Sequence, residues 1–367
     1  MKYRDHYFKR ESGVGDSDTT IIDIHVKDPI SQLSVEYEMT NGATSCTDHE
    51  LHDDIASIEL VDGSEVLWSL DMQQARALNF FENKVLPHEI ITEGAAGVQA
   101  EKMFINFGRF RDDPEFYLDP SKYNNLQLRL THTLTISATV GFATGTGKVT
   151  VMARIIEEGA KAYKGFLSAR ERIAYTSGTS GDKEVELPTN RPYRLLMLQA
   201  LLTTKNHEEV LSQHKLSIDT DSYVPINMYS EDITDLNRMQ FGLAWQKKEM
   251  LRADDGASLL DLYNIQYASV YAMTDDELAT VEAIDAESVQ VSLLEYSTPA
   301  TPTLQTTAHG VMCLAQGLQP YGCLCLPFGD MQNPEDWLRA EDYHDIRLFS
   351  TQAAAGACSV VVQQWML

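Results

Sequence analysis

Apolar and polar residues alternate in short runs along most of this chain. TIIDIHV (20–26), LSVEYEM (33–39), SIELV (57–61), KMFINF (102–107), LQLRLTHTLTISA (126–138) and KVTVMARII (148–156) fill its first half. KEVELP (183–188), YRLLMLQALL (193–202), KLSID (215–219), VPINMY (224–229), CLCLPF (323–328), IRLFST (346–351) and CSVVVQQWML (358–367) fill the second. A period of two places one side of each run in a core, so the runs predict half-buried strands. Gly, Asn, Asp and Pro clusters separate them as turns. Two stretches break the alternation, DMQQARALNFFEN (71–83) and SEDITDLNRMQ (230–240), and predict short helices with Asp71 and Ser230 at the N-cap.

The two helical stretches occupy matching places in a repeat. DPEFYLDPSKYNNLQLRL (113–130) is rewritten as NPEDWLRAEDYHDIRLF (333–349), pairing Tyr117-Leu118 with Trp337-Leu338 and Tyr123 with Tyr343. Each phrase follows a Phe-Gly step, and each is too polar and Pro-rich to be a strand, which predicts a compact connection leading into one. Upstream, IELVDGSEVLWSL (58–70) aligns with LSIDTDSYVPINM (216–228), and Leu78-Asn79 aligns with Leu236-Asn237 in the same register. Asp28-Pro29 faces Arg191-Pro192. Matched blocks in conserved order indicate a duplicated domain. Six to eight strands per copy predict two tandem sandwiches, each an eight-stranded jelly roll. The expected divisions are an N-terminal arm (1–16), a first jelly roll (17–158), a linker (159–183) containing SGTSGD, and a second jelly roll (184–367). The landmarks Leu236 and Phe328 lie much farther apart than Leu78 and Phe107, so the second copy carries an insertion over about 241–310. Within it SVQVSLLEY reads as a strand and DDELATVEAI as a short helix.

Composition narrows the function. Of 367 residues, 54 are acidic and 29 basic, a net charge of −25, which opposes binding to duplex nucleic acid without sequence preference. Only the first residues lean basic, with Lys2, Arg4, Lys9 and Arg10, either as a solvated tail or as an arm on an anionic surface such as lipid headgroups. The N-terminus has no apolar stretch of the signal-peptide kind. No apolar run approaches the roughly 20 residues that span a bilayer. Five cysteines without framework spacing suit buried thiols in a reducing compartment.

Motifs for catalysis are weak. GTGKVT (145–150) lacks the first Gly and the Ser/Thr of a phosphate loop and reads as a hairpin turn. Cys46, His49 and His52 could approach a metal on one helical face, but a solvated loop is equally natural. SGTSG fails as a nucleophile elbow at Asp182, and Cys323 with Cys325 places two thiols on one strand face for packing. We expect no enzyme, no cofactor, no catalytic residue and no metal. Trp245, Tyr263 and Tyr267 in the insertion leave open an alternative: a two-jelly-roll carbohydrate-active enzyme or glycan-binding module.

INFGRFRDDPEFYLDPSKYNNLQLRL, VELPTNRPYRLLMLQA, LPFGDMQNPEDWLRAEDYHDIRLFSTQ and SVVVQQ together resemble the double jelly-roll major capsid proteins of tailless icosahedral viruses, many of them prokaryotic viruses with an internal membrane. The resemblance covers most of residues 19–240 and 318–364 and leaves the insertion unplaced. It implies a structural capsid subunit, made in the host cytoplasm and found in the virion. Such subunits form homotrimers of pseudo-hexagonal outline beside neighbouring capsomers, penton and minor capsid proteins, with no sequence-specific nucleic acid. It also implies that Lys2, Arg4, Lys9 and Arg10 lie toward an internal membrane and that the insertion rises outward as a tower. Tyr117, Leu118, Tyr123, Trp337, Leu338 and Tyr343 are the expected structural anchors of the repeat, each pair packing on its own sandwich.

Overall fold

Strand by strand, the chain builds the same sandwich twice. The computed structural model describes residues 2–46, 49–202, 205–252, 259–261, 265–273, 278–283, 288–295, 303–304 and 309–367; within 250–311 side chains are described only for Ile265. The first sandwich comprises β1 (Lys2–Gly13), β2 (Ser17–Asp23), β3 (Ile30–Thr40), β4 (Ser57–Asp62), β5 (Glu65–Leu70), β6 (Val98–Asn106), β7 (Leu126–Thr133) and β8 (Lys148–Glu158). The second comprises β9 (Phe166–Thr176), β10 (Asp182–Leu187), β11 (Tyr193–Leu201), β12 (Leu211–Ile218), β13 (Tyr223–Tyr229), β14 (Cys323–Pro327), β15 (Ile346–Gln352) and β16 (Ala357–Met366). Helix α1 (Met72–Asn83) follows β5, and α2 (Ser230–Phe241) follows β13.

In the first copy the sheets run β1-β8-β3-β6 and β2-β7-β4-β5; in the second they run β9-β16-β11-β14 and β10-β15-β12-β13. The order is the jelly-roll order both times, and the fold is all-β as the alternation requires. Two junctions merge sheets. Ser69 on β5 pairs in parallel with Arg170 on β9, so half of each sandwich shares one eight-stranded sheet. On the other layer, Glu89–Thr92 next to β6 pairs in parallel with Ala244–Arg252 of the insertion, which extends that sheet through His309–Leu318 and Gln266–Met273.

The alternation explains the cores. Along β3, Leu33, Val35, Tyr37 and Met39 point inward and are fully buried, while Gln32, Glu36 and Glu38 face outward. Strand β11 reads YRLLMLQAL without alternation because both of its faces are covered. Leu196 and Leu198 join the second sandwich's own core, and Leu195 and Met197 join the core of the first. Each such side chain contributes roughly 1.5–3 kcal/mol on burial.

Several boundaries differ from the expected ones. Residues 2–13 are not an arm: β1 pairs antiparallel with β8 from Lys2↔Glu158 to Gly13↔Lys148 and is an integral strand of the first sandwich. The alternation of β1 is hidden in sequence because, as an edge strand of its sheet, it buries little. The connection between copies is 159–165, since β9 begins at Phe166; SGTSGD (177–182) is the turn from β9 into β10. The extra strands span 244–318, a little beyond the expected insertion. Leu278–Ala283, expected as a helix, is a strand paired with Ser288–Glu295, so tertiary pairing overrides its propensity. Ser230 is the first residue of α2 rather than its cap; its hydroxyl donates to the Leu211 carbonyl. Asp71 does cap α1, accepting from Gln74 N at 2.7 Å.

Candidate functional site at the junction of the two sandwiches

Helix α1 is the keystone of the junction. Nine of its residues are buried, including Leu78 and Phe81, because the outward face of the β9-β16-β11-β14 sheet lies against it. Gln74 Nε2 donates to Ser359 Oγ (2.9 Å), Gln199 Nε2 to Gln73 Oε1 (3.4 Å), and Phe81 meets Phe241 edge-on with centroids 5.1 Å apart. Glu82 accepts from Arg194 (3.2 Å) and Gln363 (2.8 Å), both on the second sandwich. Burial pushes the Glu82 carboxyl up, and Arg194 with its amide partners opposes this.

A second polar cluster sits in the same joint. Arg76, fully buried on α1, donates to the Tyr321 hydroxyl at 2.5 Å, lies 3.4 Å from Glu101 and pairs with Glu89. His52 Nδ1 lies 2.9 Å from Glu101 Oε1. Burial alone would push the His52 imidazole down, but Glu101, Asp53 and Glu50 together raise it to about 10. Lys248 from the insertion reaches Glu50 at 2.5 Å. Buried charges of this kind are costly unless fully partnered, so the cluster fixes the relative placement of the two copies as much as it stabilises them.

The repeated phrases occupy equivalent places. Leu118 exchanges backbone hydrogen bonds with Ile30 at the start of β3, and Leu338 does so with Tyr193 at the start of β11. A 3-10 turn follows each, at Pro120–Lys122 and Ala340–Asp342, with the Tyr123 and Tyr343 amides closing it. Asp62 Oδ1 accepts from the Asn124 and Asn125 amides, as Asp219 Oδ1 does from His344 and Asp345. Tyr117, Leu118 and Trp337 are buried, whereas Tyr123, Leu338 and Tyr343 are half-buried. Trp337 does not serve its own sandwich alone. Its ring meets Phe116 of the first copy at 5.9 Å and Trp365 at 6.1 Å, with Leu167 completing a cluster between the copies.

Sequence reasoning flagged Leu78-Asn79 and Leu236-Asn237 as aligned and missed what the asparagines do. Asn79 donates to the Phe104 carbonyl and accepts from the Phe104 amide, both at 2.7 Å. Asn237 grips Cys325 the same way, at 2.7 and 2.8 Å. Each helix is thereby clipped to the next strand of its own sandwich, α1 to β6 and α2 to β14. Arg76, Glu82 and Glu101 were also missed; their signal was charge within otherwise apolar stretches.

The remaining expected residues lie apart from this joint. Lys2 pairs with Glu158 and Arg4 with Asp28 and Glu157, while Lys9 and Arg10 sit on β1 beside them. Lys148 pairs with Glu38 at 2.6 Å on β8. Cys46 donates to the His49 carbonyl and His52 is committed to Glu101, so the three do not converge on a common point. Trp245 is half exposed; Tyr263 lies outside the described residues, and only the backbone of Tyr267 is described. A hollow of about 570 Å³ on the outer β10-β15-β12-β13 face is lined by Lys215, Asp221 and Arg347, and both cations there are already paired with carboxylates. Among the described residues no helix is long and apolar enough to cross a membrane.

No family model matches the sequence, and no curated protein matches it. Solved structures do. The chain superposes on a structure of Sulfolobus Turreted Icosahedral Virus with a TM-score of 0.60 at 9% identity, covering 100% of this chain and 91% of that one. The major capsid protein P2 of bacteriophage PM2 gives 0.54 at 9%, covering 100% and 98%. The PBCV-1 virus capsid gives 0.56 at 11%, covering 99% and 93%. At such identities the likeness speaks for the fold, and it spans both sandwiches and the helices that join them. The chain has the double jelly-roll fold seen in viral major capsid proteins.

Proposed function

We propose that this protein is a major capsid subunit whose trimers, pseudo-hexagonal in outline, tile an icosahedral viral shell. The observation that carries the reading is the duplication itself: two sandwiches of identical strand order, locked side by side by α1, in the fold of major capsid proteins. Three such chains offer six similar sandwiches around a three-fold axis, so a three-fold assembly acquires a near six-fold outline. Neighbouring capsomers are its principal partners, with penton and minor capsid proteins at the vertices, and the virion is its location. The insertion, with Lys247, Lys248 and Arg252 against eleven carboxylates and hence a net charge of −8 over 241–310, forms an outward tower. Lys2 and Arg4 are held in ion pairs within the sandwich and β1 is a paired strand, which counts against a free basic arm for membrane contact. Light scattering tests the reading: three chains of 41.1 kDa give a particle of about 120 kDa. A stable monomer at micromolar concentration overturns it.

A further inference from the structure

The two helices of the repeat are equivalent, but only one of them is covered. Helices α1 and α2 have the same length, follow equivalent strands and grip equivalent strands through Asn79 and Asn237. In that register Leu78 matches Leu236 and Phe81 matches Met239. Leu78 and Phe81 are each 2% exposed; Leu236 is 49% and Met239 84% exposed. The cover on α1 is the outward face of the second sandwich's β9-β16-β11-β14 sheet. Among the described residues, no helix covers the corresponding face of the first sandwich, on β1-β8-β3-β6, in that way. An exposed apolar helix face and an uncovered sheet face are therefore what remain when one internal junction has been satisfied.

We infer that the α2 face of one copy docks on the outer β1-β8-β3-β6 face of a second copy, repeating head to tail the junction that α1 makes inside the chain. The inference rests on the capsid-subunit reading and specifies its contact. The strand pairings give the register. Glu36↔Thr150 on β3 and β8 corresponds to Gln199↔Ser359 on β11 and β16. Inside the chain, Gln199 and Ser359 receive Gln73 and Gln74 of α1. Their counterparts on α2 are Glu231 and Asp232, both exposed. At the receiving position the first sandwich has a hollow of about 200 Å³ lined by Tyr7, Arg10, Glu36, Lys148 and Thr150, together with Glu11 and Glu38. Arg10, whose carboxylate contact at Glu11 is 4.0 Å long, is placed to meet Asp232. Around the hollow, exposed Ile90 and half-buried Phe104 and Met152 supply the apolar partners for Leu236 and Met239. Such an interface is heterologous, and it closes into a ring instead of a filament only if the turn per chain divides the circle.

A cysteine pair at positions 232 and 150 (Asp232→Cys with Thr150→Cys) tests the contact in the full chain. All five native cysteines are buried, so the added pair reacts selectively. Oxidation is expected to give interchain dimers and trimers on a denaturing gel, and neither single variant should do so. Leu236→Asp with Met239→Asp, at surface positions, is expected to shift the particle from trimer to monomer with the melting curve of the monomer intact. A wild-type trimer that neither cross-links nor responds to the double substitution overturns this contact and leaves the subunit reading standing. A wild-type chain that is monomeric overturns both.

Discussion

Trp337 shows how one side chain ties the repeat to the joint. It is 2% exposed, touches Phe116 and Trp365, and donates from Nε1 to the Asp330 carbonyl at 3.2 Å. Trp337→Ala is expected to cost about 3–5 kcal/mol in chemical denaturation. Its aromatic character was legible from the repeated phrase. Its partners were not, because the phrase aligns the copies in sequence without showing that they meet. His52 makes a prediction about pH. Its pKa, raised to about 10 in the folded chain against an ordinary 6.5, means that the folded state holds its proton more tightly. The stabilisation is fully present below about pH 6.5 and is lost as pH rises through about 10. The melting temperature is therefore expected to fall across that window, and less steeply in His52→Gln once the variant's lower starting stability is allowed for. An equal slope in the variant would place the alkaline sensitivity elsewhere.

At the scale of elements, the duplicated asparagine clips carry the clearest expectation. Asn79→Ala leaves the buried amide and carbonyl of Phe104 without their partner, and Asn237→Ala does the same to Cys325. Each is expected to cost roughly 1–3 kcal/mol, read from urea midpoints, and the two should be similar because the geometry is the same. The insertion behaves differently along its length. Ala244, Ile265, Cys313 and Ala315 lie in the main core, so its base belongs to the first sandwich's sheet. Replacing 274–308 by a short Gly/Ser loop is expected to leave both sandwiches folded, since it removes the outer strands and rejoins Gln266–Met273 and His309–Leu318, which pair directly. Replacing 245–305 removes a base strand and is expected to yield insoluble protein. The alternating runs made most sandwich strands legible, though β9 fell inside the expected linker and β5 was not among the predicted runs. Strand β1 was lost because it lies at a sheet edge and buries few side chains, and Leu278–Ala283 because its acidic, Ala-containing text favours a helix until the neighbouring Ser288–Glu295 pairs with it.

For the whole molecule, the difference between the two copies was written in the sequence as a difference in alternation. Strand β3 alternates because its outer face is polar; β11 does not, because its outer face is packed on α1. The identity of the covering element was hidden, since no local pattern states which surface lies opposite. The short connector 159–165 then has a consequence for association. A short tether holds its two ends at an effective concentration on the order of millimolar. One of every two junctions in a ring of sandwiches is thus intramolecular, formed as the chain folds and independent of how dilute the protein is. Only the α2 contact remains subject to mass action, so a single weak and repeated encounter sets the threshold concentration for the ring. Tethering also selects the partner: the apolar outer sheet face is always claimed by its own α1, and only the polar one is left for a second molecule.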